Sequence, residues 1–388
     1  MNIATVVNEA RCVSCGLCKS VCPVDAIELK YQKNKGVFVP YVNTNKCINC
    51  GKCWKYCAAQ MTKSCSLLGE MTVGYLAHAK SSDIRKGATS GGVINRVINY
   101  LLKMDYVEAV ILVRHDINSP IESSVKILTK SGVDDLNKSR EYSSRYVLVP
   151  VLESVKEAFH KFSKVAIVGT PCQINAISRL PHPNVTLWKI GIACSGGMRY
   201  TATEEYKRVS GLNNSEMFYR GNGWPGHNTL IHKDKAIDFN HQGSLFERMF
   251  SSQIFKIKGC RYCSDQFAEF ADISFCDFWN SDELKHEKIG NSCVIIRNKK
   301  AEQIINELIE NNEIEVVKQL EKKEIIDSQK SVLQAKKGNL HENKKYKMFF
   351  LIIDLIYYLK LYRIFNVKVY NRIASYYLKL CRESLLKM

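Results

Sequence analysis

The feature that most constrains this 388-residue chain is a cysteine spacing that occurs twice near its amino terminus. Both runs follow CxxCxxCxxxC; the first is Cys12, Cys15, Cys18 and Cys22, and the second is Cys47, Cys50, Cys53 and Cys57. A glycine follows the second cysteine of each run, and Pro23 ends the first run. Because glycine permits tight turns and proline interrupts helices, both runs are predicted to be short loops that gather thiol groups.

Two cysteine triplets, each with a trailing fourth cysteine, are typical of bacterial ferredoxins that hold two 4Fe–4S clusters. In that arrangement, the last thiolate of each run binds the cluster of the other run. We therefore assign the first cluster to Cys12, Cys15, Cys18 and Cys57, and the second to Cys47, Cys50, Cys53 and Cys22. A zinc-ribbon pair or a disulfide framework is the alternative, but zinc sites usually take pairs of Cys or His.

The sixteen cysteines and the formal net charge of +18 narrow the class of protein further. The amino terminus lacks a basic segment followed by an apolar run, so no signal peptide is recognised. In a reducing cytoplasm, many thiols indicate metal binding rather than disulfides, and we expect a cytoplasmic protein. The excess of basic side chains favours an anionic partner, which could be an acidic electron carrier, a phosphorylated substrate, a membrane surface or nucleic acid.

The segment after the cysteine runs contains a candidate phosphate site. Apolar residues at 93, 94, 97, 98, 101 and 102 follow helical spacing. The helix entry, Thr89-Ser90-Gly91-Gly92, supplies a hydroxyl for capping and small residues that let an anion approach free N–H groups. A phosphate or pyrophosphate site and a plain capped helix are both consistent with this segment.

Apolar strands and helical patterns alternate through the middle of the chain, which predicts an α/β domain. Strands are expected at 107–113, 164–168 and 185–192, and the last two lead into turns with Cys172 and Cys194. Open α/β sheets collect ligands at such strand ends. A CxxC pair, Cys260 and Cys263, follows, and then one more strand–helix–strand unit within 293–317.

Several motifs in one order resemble the coenzyme F-420 hydrogenase/dehydrogenase β-subunit family. They are GTPCQ at 169–173, the Cys194 turn, the CxxC pair and ADISFCDFW at 271–279, all behind the double-cluster module. The resemblance covers residues 1–320 approximately. It implies an α/β domain that binds a flavin, usually FAD, and one further 4Fe–4S cluster, with FAD or FMN left open.

The resemblance also implies roles for individual residues. It makes Cys172, Cys194, Cys260 and Cys263 the ligands of the third cluster, with four unlinked buried thiols as the alternative. It places the flavin against Thr89, Ser90, Gly91, Gly92, Ser144, Tyr146, Asp277 and Trp279. A capping carboxylate and a core indole are equally good roles for Asp277 and Trp279. This chain departs from the family at Cys276, where a glycine is usual.

The expected fold is α/β, or α+β overall, in four segments. They are a double 4Fe–4S ferredoxin-type domain at 1–66, the two parts of the flavin and iron–sulfur domain at 67–160 and 161–335, and a basic helical tail at 336–388. Cys65, just outside the cysteine pattern, is expected to be a packed thiol.

The expected function is that of an iron–sulfur flavoprotein oxidoreductase. A flavin exchanges electron pairs and iron–sulfur clusters carry single electrons, so the two together connect a donor or acceptor protein to a small-molecule substrate. The substrate would be a deazaflavin or a polysaccharide-pathway compound. A non-catalytic electron-relay subunit of a larger redox complex is the alternative.

The tail has the composition of a surface helix pair. Residues 344–388 contain ten Lys or Arg against Asp354 and Glu383, and no uncharged run approaches the roughly eighteen residues needed to span a bilayer. Four basic residues share one helical face: Lys368, Arg372, Lys379 and Arg382. This pattern favours contact with the inner surface of a membrane, and a helix pair packed on the body is the equal alternative. No nucleic-acid module is recognised, so no nucleic acid is expected.

Overall fold

The computed structural model describes residues 2–61, 66–138, 140–279, 286–338 and 343–383. Cys65 therefore lies outside the described residues. The described chain forms a small amino-terminal module, a body built on a large mixed sheet, and two tail helices packed on the body. Within these ranges, every helix is too short or too polar to cross a bilayer.

The amino-terminal module consists of short elements around the two cysteine loops. In chain order they are α1 (Ile3–Asn8), α2 (Leu17–Ser20), β1 (Ile27–Gln32), β2 (Val37–Val42) and α3 (Lys52–Lys55). β1 pairs antiparallel with β2, which confirms the two strands predicted between the cysteine runs. Gly16 and Gly51 precede α2 and α3 with φ of 87° and 72°, a left-handed turn that glycine makes without a steric penalty.

The body contains two sheets. Its strands are β3 (Val73–Ala79), β4 (Ala109–His115), β5 (Ser123–Thr129), β6 (Lys164–Gly169), β7 (Thr186–Ile192), β8 (Glu216–Phe218), β9 (His227–His232), β10 (Lys235–Asn240), β11 (Ile273–Asp277), β12 (Ser292–Ile296) and β13 (Ile314–Leu320). The large sheet has the order β13-β3-β12-β11-β7-β6-β4-β5, and the small one has the order β10-β9-β8. This mixed sheet behind a ferredoxin-type module confirms the predicted α/β class.

The centre of the large sheet is parallel. β4, β6, β7 and β11 run in one direction, so their carboxyl ends meet at a single edge. On either side of this centre, β5 and β12 pair antiparallel with their neighbours. Ligands of open α/β sheets bind at such a carboxyl edge, which is where the candidate site of this chain lies.

Ten helices of the described body lie between these strands or follow the last of them. They are α4 (Ser82–Gly87), α5 (Val93–Lys103), α6 (Asp135–Lys138), α7 (Val155–Lys161), α8 (Pro171–Ser178), α9 (Thr201–Val209), α10 (Leu245–Ser251), α11 (Lys299–Glu310), α12 (Lys322–Ser328) and α13 (Lys330–Lys337). The apolar spacing that predicted a helix over 93–102 is confirmed by α5, which buries Val93, Val97 and Leu101.

The helix after β6 begins earlier than its apolar pattern indicated. α8 starts at Pro171, whose fixed φ suits the first helical position. The backbone N–H of Thr170 donates to Gln173 Oε1 at 2.9 Å and closes the helix start. Cys172 therefore lies in the first turn of α8 and not in a turn that precedes the helix.

The tail forms two helices, α14 (Lys344–Tyr358) and α15 (Val367–Arg382). Their inner faces bury aromatic side chains such as Tyr346 and Tyr370 in the same core as the body. Asp354 of α14 accepts hydrogen bonds from Arg261 at 2.7 and 3.0 Å, so the tail is joined to the segment between Cys260 and Cys263. The inner face of the tail therefore packs on the body, which is the second of the two arrangements expected for the tail.

Candidate redox site

The four thiols assigned to the first cluster surround one small cavity in the module. Cys12, Cys15, Cys18 and Cys57 line it, together with Ile3 and Leu29. Burial, with the neighbouring thiols, raises the pKa of Cys12 and Cys15 to about 12 and that of Cys57 to about 11. Such thiols become thiolates only when a cation shares their charge, and the set therefore fits a metal cluster.

The second set is less enclosed. Burial raises the pKa of Cys53, and Cys22 and Cys50 are its neighbouring thiols. Cys47 is half-buried and Cys50 is exposed, so this set reaches the protein surface. The Ala26 N–H donates to Cys22 Sγ at 3.2 Å, a contact of the kind that tunes cluster potentials.

A single metal ion and an iron–sulfur cluster require different spacings of their ligands. Within the part of the chain that the structure describes, no three His, Cys, Asp or Glu side chains lie close enough together to hold one ion. A 4Fe–4S cluster binds each thiolate through a different iron atom, so its ligands stand farther apart than the ligands of one zinc ion. All described cysteines are free thiols, and the disulfide alternative finds no support among them.

A third group of thiols lies in the body. Cys172 belongs to α8, Cys194 follows β7, and Cys260 and Cys263 lie in the turn that begins at Lys258. Burial raises the pKa of Cys172 well above its usual value, and the next contributions come from Cys263, Cys260 and Cys194. The fold therefore brings together four thiols that are far apart in sequence, as a cluster site requires.

Two half-buried lysines accompany this third group, and sequence reasoning missed both. Lys336 Nζ of α13 donates to the carbonyl oxygens of Cys194 and Asp265, both at 2.5 Å, and lies 3.7 Å from Cys263 Sγ. Lys256 Nζ donates to Ser195 O at 2.7 Å, and burial lowers its pKa to about 8. Both lie outside the cysteine motifs, so no spacing signal marks them.

The third group touches the loops of the first set. A Cβ atom on Gly259 would stand 2.5 Å from Arg11 O and 2.8 Å from Cys12 O, so these two backbones are in direct contact. Arg179, just past α8, donates from Nη2 to Cys57 O at 2.9 Å. Both the Cys260 loop and the helix of Cys172 therefore adjoin the first set.

A cavity of about 620 Å³ opens at the carboxyl edge of the parallel strands. Seven of the eight residues predicted to contact a flavin line it: Thr89, Ser90, Gly92, Ser144, Tyr146, Asp277 and Trp279. Cys194 lines it as well, so the third thiol group adjoins the cavity. Gly91 does not line it, because its N–H donates to Ser292 Oγ at 3.0 Å and a Cβ there would stand 2.6 Å from Ala77 O.

The start of α5 faces this cavity without a capping side chain, contrary to the predicted hydroxyl cap. Thr89 Oγ1 instead accepts a hydrogen bond from the Ser144 N–H at 3.2 Å, and Ser90 Oγ donates to Asn291 O at 2.7 Å. Gly92, with φ of 77°, and Asn95 of the first turn line the cavity. The first-turn N–H groups are therefore placed to bind an anion.

An arginine and two tryptophans form another part of the cavity region. Arg220 forms an ion pair with Asp277, and its guanidinium lies 4.9 Å from the ring of Trp224 and 5.2 Å from the ring of Trp279. The two indole rings are 4.7 Å apart. Asp277 is thus the partner of a buried cation and not a helix cap. The segment around Arg220 resembled a family motif, but its residues alone indicated no role.

His241 is a further residue of the cavity wall that sequence reasoning missed. Its Nε2 lies 3.4 Å from the hydroxyl of Tyr146, and burial lowers its pKa to about 3. Four polar atoms of other lining residues are buried without a partner among the described residues: Ser143 Oγ, Arg145 Nε, Arg220 Nη2 and Gln266 Oε1. Since such atoms cost free energy when unpaired, the cavity fits a ligand with several polar groups, as a flavin has.

Comparisons with known proteins agree with this geometry. Residues 11–61 match the model of a 4Fe-4S dicluster domain, so the chain is an iron–sulfur redox protein of the oxidoreductase class. Residues 74–156 and 162–322 match the models of the amino-terminal and carboxyl-terminal parts of the coenzyme F420 hydrogenase/dehydrogenase β-subunit. The chain therefore belongs to the coenzyme F420 hydrogenase/dehydrogenase β-subunit family, as its motifs predicted.

Curated relatives share about a quarter of their residues with it. One of the subunits of F(420)H(2) dehydrogenase from Methanosarcina mazei is 26% identical over 74% of this chain and 82% of the relative. The β-subunit of coenzyme F420 hydrogenase from Methanococcus voltae is 27% identical over 71% of this chain and 94% of the relative. Coenzyme F420-dependent sulfite reductase of Methanocaldococcus jannaschii is 26% identical over 68% of this chain but only 41% of the relative.

A solved structure supports the fold. A chain of the F420-reducing [NiFe] hydrogenase complex from Methanosarcina barkeri superimposes with a TM-score of 0.55 at 17% sequence identity. The match covers 74% of this chain and 96% of that chain. At this identity the likeness concerns the fold alone.

Proposed function

We propose that this chain is a flavoprotein that passes electrons between the module clusters and a flavin through a third 4Fe–4S cluster. The supporting observation is the position of Cys172, Cys194, Cys260 and Cys263 between the loop of Cys12 and the wall of the 620 Å³ cavity. The first thiol set adjoins the third, and the third adjoins the cavity, as stepwise transfer of single electrons requires. A set of unlinked core thiols would have no reason to adjoin both neighbours.

The exposed position of Cys50 suggests where a partner protein docks. Cys50 and the neighbouring Ile48 are exposed, and so are Lys46 and Lys52. An acidic donor or acceptor protein would be attracted to these lysines and brought close to the second cluster. Electrons would then pass to the first cluster, the third cluster and the cavity, and the reverse direction is equally allowed.

The cavity suits FAD in size and polarity. Its volume of about 620 Å³ lies within the usual range of cofactor pockets. The N–H groups at the start of α5 would hold the pyrophosphate, and Tyr146 and Trp279 would pack against the rings. A bound flavin supplies the conversion between electron pairs and single electrons. His241 stays neutral because of its lowered pKa, and Asp277 balances the charge of Arg220.

The names of the relatives suggest the acceptor. Three of them are named for coenzyme F420, a deazaflavin, and we propose such a compound as the substrate of this chain. A polysaccharide-pathway compound is the other candidate. Anaerobic protein reduced by a low-potential donor should bleach F420 absorbance if the first proposal holds. A chain that binds flavin but reduces neither compound until a partner protein is added would be an electron relay.

Cofactor content tests the proposal directly. Anaerobically purified protein should contain about twelve irons and one flavin for three clusters. Asn95→Asp should lower flavin occupancy at least tenfold, because a carboxylate in the first turn of α5 repels the pyrophosphate while suiting the helix itself. Asn366→Asp, at the start of α15, is the matched control and should leave flavin unchanged. Eight irons and no flavin would refute the proposal.

We further propose that the outer face of the tail contacts an anionic membrane surface. One exposed apolar face is formed on α14 and at its carboxyl-terminal cap by Met348, Leu351, Ile352, Leu355 and Leu359. Exposed basic residues stand at both ends of it: Lys344, Lys345, Lys347, Lys360 and Arg363. An apolar face with a cationic border is typical of helices that lie in the interface of a membrane. The basic residues favour anionic lipids, and the apolar face favours a lipid surface over an acidic protein that has no apolar surface.

Vesicle binding tests this contact. Wild-type protein should bind phosphatidylglycerol vesicles more tightly than phosphatidylcholine vesicles, and Leu351→Gln with Leu355→Gln should remove most of the binding. Ile309→Gln, which changes an exposed side chain of α11, should have no effect. If the double variant instead abolishes self-association and vesicles are never bound, the face joins two copies of the chain and the membrane proposal is wrong.

A further inference from the structure

Two cysteines outside the three cluster sets face each other across neighbouring strands. Cys276 of β11 stands directly opposite Cys293 of β12 in antiparallel register, and both are buried free thiols. Directly opposed residues of antiparallel strands have Cα atoms about 4.5–5.5 Å apart. A disulfide needs a Cα separation of about 4.4–6.8 Å. The Cα separation expected for this pair therefore falls within the range that a disulfide spans.

This pair lies next to the proposed redox site. Cys276 lines the 620 Å³ cavity. On the other side of β11, the Ala193 N–H donates to Phe275 O at 2.9 Å, so Cys276 lies beside the turn that holds Cys194. The pair is thus adjacent both to the cavity and to the loop of the third thiol group. Neither of its cysteines belongs to any of the three proposed cluster sets.

A neighbouring cation opposes the factors that keep this pair in the thiol form. The Cys293 thiol and burial raise the pKa of Cys276 well above its usual value, and Arg297 acts against this rise. Arg297 lies close enough to interact electrostatically with both thiols, and its buried Nε has no hydrogen-bond partner. Its Nη2 donates to Ser274 Oγ at 3.1 Å and to Phe267 O at 3.0 Å, which fixes the guanidinium beside the strands. A fixed cation stabilises the transient thiolate through which a dithiol reacts.

We infer that Cys276 and Cys293 form a redox-active dithiol that stores an electron pair beside the cavity. On oxidation, the two S–H bonds break, one S–S bond forms, and two electrons and two protons leave the pair. The acceptor is a two-electron oxidant in the cavity, which is the flavin if the proposed function holds; the inference rests on that function for its physiological acceptor but not for the chemistry of the pair.

The first test uses duroquinone as a two-electron oxidant and dithionite as reductant. Protein poised anaerobically with either reagent is denatured, alkylated and cleaved with trypsin, which separates the two cysteines after Lys285 and Lys288. We expect peptides joined by a Cys276–Cys293 disulfide after duroquinone and alkylated thiols after dithionite. Cys381, a buried thiol outside all these sets, should stay alkylated in both samples.

Variants complete the test. Cys276→Ser and Cys293→Ser should each abolish the joined peptides, whereas Cys381→Ser should leave them unchanged. In a reductive titration, the wild type should take up two more electrons per chain than Cys276→Ser. Alkylated Cys276 and Cys293 after duroquinone, or equal electron uptake, would overturn the inference.

Measuring flavin in the same samples separates this inference from the proposed function. A disulfide in protein that binds no flavin would refute the proposed function and leave the dithiol standing. Bound flavin without a disulfide would refute the dithiol and leave the flavin part of the proposed function standing.

Discussion

The module and the body hold thiol groups by different means. In the module, eight cysteines lie between residues 12 and 57, and two short loops bring them together. In the body, the third group is drawn from residues 172 to 263 and depends on α8, the end of β7 and a turn before β11. A site within local loops is encoded by spacing, whereas a site assembled by a sheet is encoded by the whole fold. The third group should therefore be the more easily disturbed.

The largest expected effect comes from removing one ligand of the third group. Cys172→Ser replaces a thiolate by a much poorer oxygen ligand and leaves the module untouched. We expect loss of about a third of the iron, while the paramagnetic resonance signals of the module remain. Electron transfer from the module to a flavin should fall at least a hundredfold, because the intermediate cluster is missing. Iron analysis and stopped-flow reduction measure the two effects.

Cys381→Ser is the matched control for this variant. Cys381 is also a buried thiol of the body core, but it lies outside the three proposed ligand sets. Its iron content should equal that of the wild type. Unchanged iron in Cys172→Ser would mean that Cys172 is a bystander and would end the three-cluster interpretation.

The same contrast explains what the sequence could predict. The spacing of Cys12, Cys15 and Cys18 predicts their grouping, and the structure places them around one cavity with Cys57. The strands near residues 27–42 and the helix from Val93 also follow from local patterns. In the body, by contrast, only resemblance to a family joined Cys172 to Cys263, because no periodicity links residues so far apart.

The missed residues have a common physical cause. Lys336, Arg220 and His241 act through contacts made by the folded chain, and each is an ordinary residue within its own segment. Gly91 shows the opposite error. Its position in a glycine-rich helix entry suggested a ligand contact, but its N–H donates to Ser292 Oγ. Local composition indicates a helix entry without telling which of its groups face the cavity.

A smaller effect is expected at the contact between module and body. A Cβ at Gly259 would stand 2.5 Å from Arg11 O, so Gly259→Ala must push the Cys260 loop away from the Cys12 loop. We expect a loss of about 1–3 kcal/mol in the free energy of unfolding, with iron content retained. Electron transfer from module to flavin should slow because the first and third clusters move apart.

Gly87→Ala provides the comparison for this contact, since a Cβ there meets nothing within 4 Å. Because Gly87 lines the cavity, this variant is a control for stability alone, and its free energy of unfolding should stay near that of the wild type. If Gly259→Ala transfers electrons at the wild-type rate, then the Cys12 and Cys260 loops are not on the electron path.

The smallest effect concerns the positive charge of Lys336 beside the third group. Lys336 Nζ lies 3.7 Å from Cys263 Sγ, and a positive charge there stabilises the reduced, more negative cluster. Lys336→Met keeps most of the side-chain volume and removes the charge, so the potential of the third cluster should fall, on the order of tens of millivolts for about 1 kcal/mol. Lys330→Met changes an exposed lysine of the same helix and should leave the potential unchanged. Redox titration followed by paramagnetic resonance measures each cluster separately, and a shift confined to the module signals would show that Lys336 does not act on the third group.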